Sequence, residues 1–311
     1  MTTAELYATF AAQEARGVSP TYERLSLAVA QSDELLALLE TLPEGKRQPN
    51  LLYGVVRFLR GPVDEPDAFV DYAVTHWPTV SGEMRVRATQ TNEAGRCTAL
   101  LPVLAKLPQP LALLEVGASA GLCLYPDQYG YRYGDHVVGT GTPVLECDAS
   151  GLVPPTTLPK VVWRGGLDLN PLDVTSADDV AWLEALIWPE HTHRRARFVA
   201  AAKVAAADPP RLVRGDLVDD LPALAAEAPS DATLVVFHTS VLYQVPPDRR
   251  RAFADVVRDL DCHWIANEAA DVLPYDNLPD PPNEALHNLL ALDGTPLAWG
   301  RSHGQSLVWF G

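Results

Sequence analysis

The chain lacks the excess of positive charge on which many nucleic-acid-binding and membrane-surface proteins depend. It has 24 Lys and Arg residues against 40 Asp and Glu residues, which gives a formal net charge of -16 at pH 7. A surface this acidic repels phosphate groups at long range. We therefore expect neither nucleic acid nor an anionic membrane among its partners.

Long apolar runs and closely spaced cysteines are missing as well. No uncharged apolar run reaches the roughly 18 residues that a membrane-spanning helix needs. The N-terminal segment mixes apolar and charged residues and does not resemble a secretion signal. The four cysteines, Cys97, Cys123, Cys147 and Cys262, are too far apart to form a zinc knuckle, so we predict reduced thiols and no metal site. Together these absences predict a cytoplasmic protein.

Two regions of different character are present. Residues 1–108 show helical apolar spacing, with helix starts at Ser19-Pro20 and Ser32, and we expect them to form a helical lid that contacts the substrate. From residue 109 onward short apolar strands alternate with helical segments, which predicts an α/β fold with a doubly wound, Rossmann-like parallel sheet over 109–311. Within it we predict a β insertion near 129–148, a helix over Asn283–Leu292 and a terminal antiparallel hairpin.

A glycine-rich turn, in the segment LLEVGASAGLCL, follows the first predicted strand, Leu111–Val116. Glu115 stands near the end of that strand, and Gly117 and Gly121 follow. Glycine permits a tight turn and a close approach of the backbone to a ligand. Because doubly wound folds bind ligands at the carboxyl edge of the sheet, we expect Glu115 to line a site there and to order the turn through backbone amides.

Three interpretations of this turn remain open. It can be a strand-to-helix turn without a ligand. It can be the Gly-x-Ser-x-Gly elbow of a serine hydrolase, with Ser119 as nucleophile and His238 or His303 as base, although no oxyanion loop precedes it. It can also bind S-adenosylmethionine through Glu115, Gly117, Ser119 and Gly121.

Two further acids are candidates for contacts to such a cofactor. Asp168 can accept hydrogen bonds from both ribose hydroxyls, although it lies more than twice as far beyond Glu115 as the usual spacing of about 20 residues. Its alternative role is to cap a turn with Asn170-Pro171. Asp216 can accept a hydrogen bond from an adenine amino group or cap a helix.

Catalytic candidates follow two later strands. His238 comes directly after the predicted strand Ala232–Phe237 and can act as a general base, unless its ring nitrogens are satisfied within the protein. Tyr243 lies in the same turn. Glu268 follows the strand His263–Ala266 and can orient a substrate or accept a proton, or cap a helix.

Substrate-binding candidates lie on either side of the glycine turn. Asn92 and Arg96 open the helix that leads into the first strand, and Arg96 can bind the carboxylate of an amino-acid-like ligand. The alternative is a helix start stabilised by an ion pair between Glu93 and Arg96. Asp127, beyond the turn, is the third candidate.

Several motifs in order resemble a bacterial family of uncharacterised proteins known as domain of unknown function 2332, among them TNEAGRC, LLEVGASAGL, GLDLNPLD, VVFHTSVL and WIANEA. That family implies no activity. At the superfamily level the second region resembles class I S-adenosylmethionine-dependent methyltransferases, whose sheet ends in an antiparallel strand. The resemblance implies S-adenosylmethionine as cofactor and methyl transfer to a small molecule, although Ser119 replaces the middle glycine of the usual turn. The other hypotheses are the serine hydrolase and a cofactor- or nucleotide-binding protein without catalysis.

Overall fold

Eleven α-helices and one eleven-stranded sheet make up this computed structural model, which describes residues 1–311. The helices are α1 (Thr3–Phe10), α2 (Pro20–Gln31), α3 (Asp33–Leu39), α4 (Pro49–Phe58), α5 (Pro66–Thr75), α6 (Trp77–Val86), α7 (Cys97–Leu104), α8 (Ala177–Leu186), α9 (Thr192–Ala207), α10 (Leu221–Ala225) and α11 (Pro247–Asp259). The strands are β1 (Leu111–Val116), β2 (Gly130–Tyr133), β3 (His136–Val138), β4 (Val144–Ser150), β5 (Val161–Asp168), β6 (Arg211–Arg214), β7 (Thr233–Thr239), β8 (His263–Ala269), β9 (Asn288–Leu292), β10 (Thr295–Gly300) and β11 (Ser306–Trp309). None of the helices is both long and apolar enough to cross a bilayer.

The chain divides into two compact units. Unit 1 comprises Met1–Thr91 and Ser176–Ala196, and unit 2 comprises Asn92–Thr175 and Arg197–Gly311. These units differ from the predicted ranges 1–108 and 109–311 because two helical segments belong elsewhere. Residues 92–108 join the sheet, since Tyr133 of β2 donates a hydrogen bond to the Thr98 carbonyl of α7 at 2.7 Å. Residues 176–196 join the helical unit, where Trp182 and Leu186 of α8 lie against Gly54 of α4.

The helices of unit 1 begin where the sequence predicted helix caps. The Ser19 hydroxyl accepts a hydrogen bond from the Tyr22 amide at 3.1 Å, with Pro20 in the first helical position. The Ser32 hydroxyl accepts one from the Leu35 amide at 3.3 Å. Each cap satisfies an amide that has no partner within its helix. The core of this unit is aromatic, and its fully buried rings include Tyr7, Tyr22, Tyr53 and Phe69.

The sheet of unit 2 has the order β3-β2-β4-β11-β10-β9-β8-β7-β1-β5-β6. Five neighbouring strands, β6-β5-β1-β7-β8, are parallel, and by chain order they read 3-2-1-4-5. This is the order of a doubly wound dinucleotide-binding sheet, in which ligands bind where the strand order reverses. Here the reversal lies between β1 and β7, so the carboxyl ends of these two strands mark the expected site.

Of three peripheral features of the sheet, the sequence predicted two correctly and one wrongly. The β insertion is present as β2, β3 and β4, and β10 and β11 form the terminal antiparallel hairpin. The helix predicted over Asn283–Leu292 is wrong, because Asn288–Leu292 is strand β9, antiparallel to β8. The sequence carries the signal for this strand in Asp293-Gly294, whose φ angles of 51° and 81° fit a two-residue hairpin turn into β10.

Candidate functional site

The glycine turn joins β1 to a single 3₁₀ turn, Leu122–Leu124, and not to a helix. Its backbone is left-handed at Gly117, Ser119 and Gly121, with φ values of 72°, 51° and 73°. A Cβ atom on Gly117 would overlap the methyl groups of Val241, with Cγ1 at 2.7 Å. The left-handed backbone at both positions, together with packing against neighbouring side chains of the protein, therefore explains why Gly117 and Gly121 are glycines. No α-helix follows the turn, so the strand-to-helix interpretation does not hold and no helix N-terminus faces a ligand here.

Asp168, at the end of β5, closes the turn. One of its carboxylate oxygens accepts a hydrogen bond from the Ser119 amide at 2.8 Å, and the other accepts one from the Asn170 amide at 2.7 Å. This is the turn-capping role that the sequence left open beside ribose binding. Each oxygen keeps further acceptor capacity, because an ionised carboxylate offers about four lone-pair sites.

Glu115 lies beside this turn but does not order it. The side chain is buried, at 4% relative exposure, and its Oε2 atom has no hydrogen-bond partner. No backbone amide donates to it, so the expected ordering role belongs to Asp168 instead. Burial raises the pKa of the Glu115 carboxyl well above its usual range; Cys123 and Asp168 act in the same direction, and Arg96 opposes them.

Arg96 is a buried cation whose hydrogen bonds all go to neutral oxygens. Its Nη1 donates to the Thr239 carbonyl at 2.7 Å and the Thr239 hydroxyl at 3.2 Å, and its Nε donates to the Ser302 carbonyl at 3.1 Å. None of these bonds engages Nη2. The predicted ion pair between Glu93 and Arg96 is replaced by one between Glu93 and Arg197, 2.6 Å apart. The Arg96 guanidinium therefore lies near Glu115 without a carboxylate hydrogen bond.

Other buried polar atoms in and next to the glycine turn also lack a hydrogen-bond partner. Besides Glu115 Oε2, the buried Ser119 Oγ and Asn92 Nδ2 have no hydrogen-bond partner. Asn92 belongs to the same edge, since its Oδ1 accepts a hydrogen bond from the Leu122 amide at 3.3 Å. Buried polar atoms normally find a partner in the protein, in water or in a ligand. Three such atoms beside a cation without a carboxylate partner give this edge the polar groups of a small-molecule site.

His238 is fully buried and has both ring nitrogens engaged. Nε2 lies 3.0 Å from the Trp264 indole N–H, which only donates, so Nε2 accepts and Nδ1 carries the proton. That proton is donated to Glu268 Oε1 at 2.8 Å. No ring nitrogen is left for a substrate, which disfavours His238 as a general base. Strand β7 extends to Thr239, so His238 lies inside the strand and not after it.

Glu268 also lies inside its strand, β8, and organises the turn that follows β7. Its Oε1 accepts hydrogen bonds from the amides of Val241 and Leu242, at 2.8 and 3.1 Å, in addition to the bond from His238. Its buried Oε2 has no partner. Of the three catalytic candidates, Glu268 is the one that retains a buried acceptor atom.

The two groups of candidates lie on opposite faces of the sheet. Leu114 pairs in register with Val236, which pairs with Trp264, and these three pack into one core with Phe253 of α11. Because side chains alternate along a strand, His238 and Glu268 share that face. Glu115, Asp168 and Thr239 belong to the other face, where Arg96 binds Thr239.

The remaining candidates are engaged elsewhere or exposed. Asp216 accepts from the Val218 amide at 2.7 Å and pairs with Arg249, which fits the capping alternative. Asp127 forms a two-pronged ion pair with Arg164, with N–O distances of 2.8 and 2.7 Å. Tyr243 is 58% exposed. The structure does not bring these three into the cluster around Glu115.

Sequence reasoning missed Thr239 and Trp264, which hold Arg96 and His238 respectively. The segment VVFHTS carries a signal for Thr239, because a strand that continues through His238 must place the next residue on the opposite face. No pattern pointed to Trp264, since its contact with His238 depends on the register of β7 and β8.

The comparisons with known proteins agree with the motif resemblance. Residues 4–309 match the family model described as "Uncharacterized protein conserved in bacteria (DUF2332)". Neither the curated proteins nor the solved structures gave a match. Because the family model covers nearly the whole chain, the protein belongs to this uncharacterized bacterial family.

Proposed function

We propose that the protein binds S-adenosylmethionine at the carboxyl edge of β1 and transfers its methyl group to a small molecule. The observation that carries the proposal is the relationship between Glu115 and Arg96. Arg96 is a cation and Glu115 is an acid, both are buried, and neither is hydrogen-bonded to the other. The amino-acid end of S-adenosylmethionine carries an ammonium and a carboxylate, and this pair is complementary to it.

The residues of the edge fit this group on chemical grounds. Arg96 Nη2 and Asn92 Nδ2 are donors for a carboxylate, and Glu115 Oε2 is an acceptor for an ammonium. Ser119 Oγ, without a partner in the protein, can serve either group. The turn also lacks the helix N-terminus that phosphate-bearing ligands exploit. This favours a cofactor without phosphate over a nucleoside phosphate.

The cofactor would supply an electrophilic methyl group on a sulfonium centre. The protein's part is to hold the turn rigid and to keep the reacting groups in position away from water. Asp168 performs the first task through the Ser119 amide. Glu268 Oε2 has no partner, but Glu268 lies on the opposite face of the sheet from Glu115, so it has no assigned role in this methyl transfer.

The hydrolase alternative is not favoured by the surroundings of Ser119. Its Oγ is buried and makes no hydrogen bond, whereas an activated nucleophile needs a base within hydrogen-bond reach. One of the two candidate bases, His238, is committed to Trp264 and Glu268, and neither His238 nor His303 hydrogen-bonds to Ser119 Oγ.

Thermal unfolding with added ligands tests the proposal. S-adenosylmethionine and its demethylated product are expected to raise the melting temperature of the wild type, and ATP is not. Arg96→Met should lose the response while remaining folded by circular dichroism. The matched control is Arg132→Met, because Arg132 is half-exposed and pairs only with Glu146. A wild type that responds to neither cofactor form would refute the proposal.

A further inference from the structure

The Glu115 carboxyl is enclosed by titratable and charged groups from four elements. Arg96 precedes α7, Cys123 lies in the 3₁₀ turn, Asp168 ends β5, and Tyr129 precedes β2. Arg96 is the one cation among them, and its hydrogen bonds go to Thr239 and Ser302. The Cys123 thiol donates to the Glu93 carbonyl at 3.4 Å, and it also interacts with the Glu115 carboxyl and raises its pKa.

A charged carboxylate at this position would be poorly stabilised without a ligand. No donor reaches its Oε2, and burying an unpaired charge is strongly unfavourable unless the group takes up a proton. Burial, the first cause, and the neighbouring Cys123 raise the pKa of Glu115, in agreement with this geometry. In the ligand-free protein this enclosed position without a partner for Oε2 therefore favours the protonated, neutral carboxyl.

Resting on the proposed function, we propose that the ligand's ammonium group replaces a proton on Glu115, so that binding and proton release are one event. The neutral carboxyl loses its proton to solvent, and the resulting carboxylate pairs with the ammonium. Charge balances, because a neutral acid and a cation become an ion pair and a free proton. The ligand class follows: the site selects molecules that bear a cationic amine next to an anionic group for Arg96.

This exchange makes affinity depend on pH in one direction. Below the raised pKa each ligand must displace a proton, so binding tightens as the pH rises. Above the raised pKa the Glu115 carboxyl has already lost its proton, so Glu115 no longer makes the affinity depend on pH. An amine ligand with its own ammonium pKa well above neutrality keeps its charge over the same range.

Calorimetry at one near-neutral pH, in two buffers of different ionisation enthalpy, counts the released protons. S-adenosylmethionine is the probe. The wild type should release one proton per ligand, and Glu115→Gln should release none and bind roughly ten-fold more weakly, because a charge-assisted bond becomes a neutral one. Glu146→Gln, which changes an exposed carboxyl, is the matched control and should release one proton like the wild type. Binding with equal enthalpy in both buffers would overturn the proposal.

Infrared difference spectroscopy of the ligand-free protein separates this proposal from the proposed function. A protonated-carboxyl band that is present in the wild type and absent from Glu115→Gln supports a neutral Glu115, whether or not the cofactor binds. The absence of that band in the wild type overturns the exchange. A wild type that has the band but gives no heat with S-adenosylmethionine contradicts the proposed function. Free methionine is then the second probe: heats that depend on the buffer support the exchange at Glu115, and the absence of heat overturns it.

Discussion

The carboxylate of Asp168 accepts a hydrogen bond from the backbone amide of Ser119 at 2.8 Å and thereby ties the end of β5 to the turn after β1. Its other oxygen accepts from the Asn170 amide at 2.7 Å. Glu115, which precedes the turn, receives no backbone amide. The acid expected to bind a ribose is thus the one that orders the turn, and the acid expected to order the turn keeps a free oxygen.

Asp168→Ala should destabilise unit 2. The substitution leaves the amides of Ser119 and Asn170 without acceptors, and a hydrogen bond to a charged group contributes about 1.5–3 kcal/mol. We expect the free energy of unfolding to fall by about 2–4 kcal/mol in denaturant titration. Asp276→Ala is the control, because Asp276 is exposed. An unchanged stability in Asp168→Ala would mean that the turn holds its shape without this acid.

Gly117→Ala should also be costly, for two separable reasons. The left-handed backbone strains any residue with a Cβ by about 1–3 kcal/mol, and the added atom overlaps Val241. In a Val241→Ala background the two overlapping methyl groups are removed and only the Cβ of residue 241 stays close, at 3.1 Å, so the glycine substitution should cost less there by about 1 kcal/mol. Gly82→Ala is the control, since Gly82 lies in α6 with open space around it and should become slightly more stable. Equal costs in both backgrounds would exclude the contact with Val241.

Trp264→Phe and His238→Leu should lower the free energy of unfolding by different amounts if Trp264, His238 and Glu268 are joined by hydrogen bonds in the core. The first removes a single donor to His238 and should cost about 1 kcal/mol. The second deprives both Trp264 and Glu268 of a buried partner and should cost about 2–4 kcal/mol. Chemical denaturation measures both values. A His238→Leu protein as stable as the wild type would restore His238 as a catalytic candidate.

Stability should depend on pH through Glu115. Its pKa in the folded protein is raised, chiefly by burial, so the stabilisation is fully present below the ordinary glutamate pKa of about 4.3. It is lost as the pH rises from there through the raised pKa, by about 1.4 kcal/mol for each pH unit between the two values. Glu115→Gln cannot titrate, so the variant should gain stability relative to the wild type as the pH rises. If the stabilities of the two proteins changed in parallel with pH, the pKa of Glu115 would not be raised in the folded protein.

The alternation of strand and helix patterns predicted most of the fold. It did not predict the ends of the elements or the contacts between side chains. Helix caps at Ser19 and Ser32 depend on local chemistry and were readable. The strand β9 was mistaken for a helix because its apolar residues also fit helical spacing, although Asp293-Gly294 marked the hairpin. Strands β7 and β8 continue past their apolar residues, because His238 and Glu268 satisfy each other in the core.

The candidate site was predictable in its position but not in its contacts. The sequence predicted Glu115 and Asp168 at the carboxyl edge of adjacent strands, and it offered Arg96, at the start of the preceding helix, as a contact for a ligand carboxylate. It could not show that Asp168 binds amides or that Arg96 binds Thr239, since these contacts join residues 49 and 143 positions apart. Such pairings depend on the completed sheet.

A crystal structure of the protein with S-adenosylmethionine or its demethylated product tests the central claim most directly. We expect the ligand at the carboxyl edge of β1, with its carboxylate within hydrogen-bond distance of Arg96 and its ammonium within hydrogen-bond distance of Glu115. Asn92 Nδ2 and Ser119 Oγ should gain partners in the same complex. A ligand bound elsewhere, or one with its amino-acid end turned away from Glu115 and Arg96, would contradict the account.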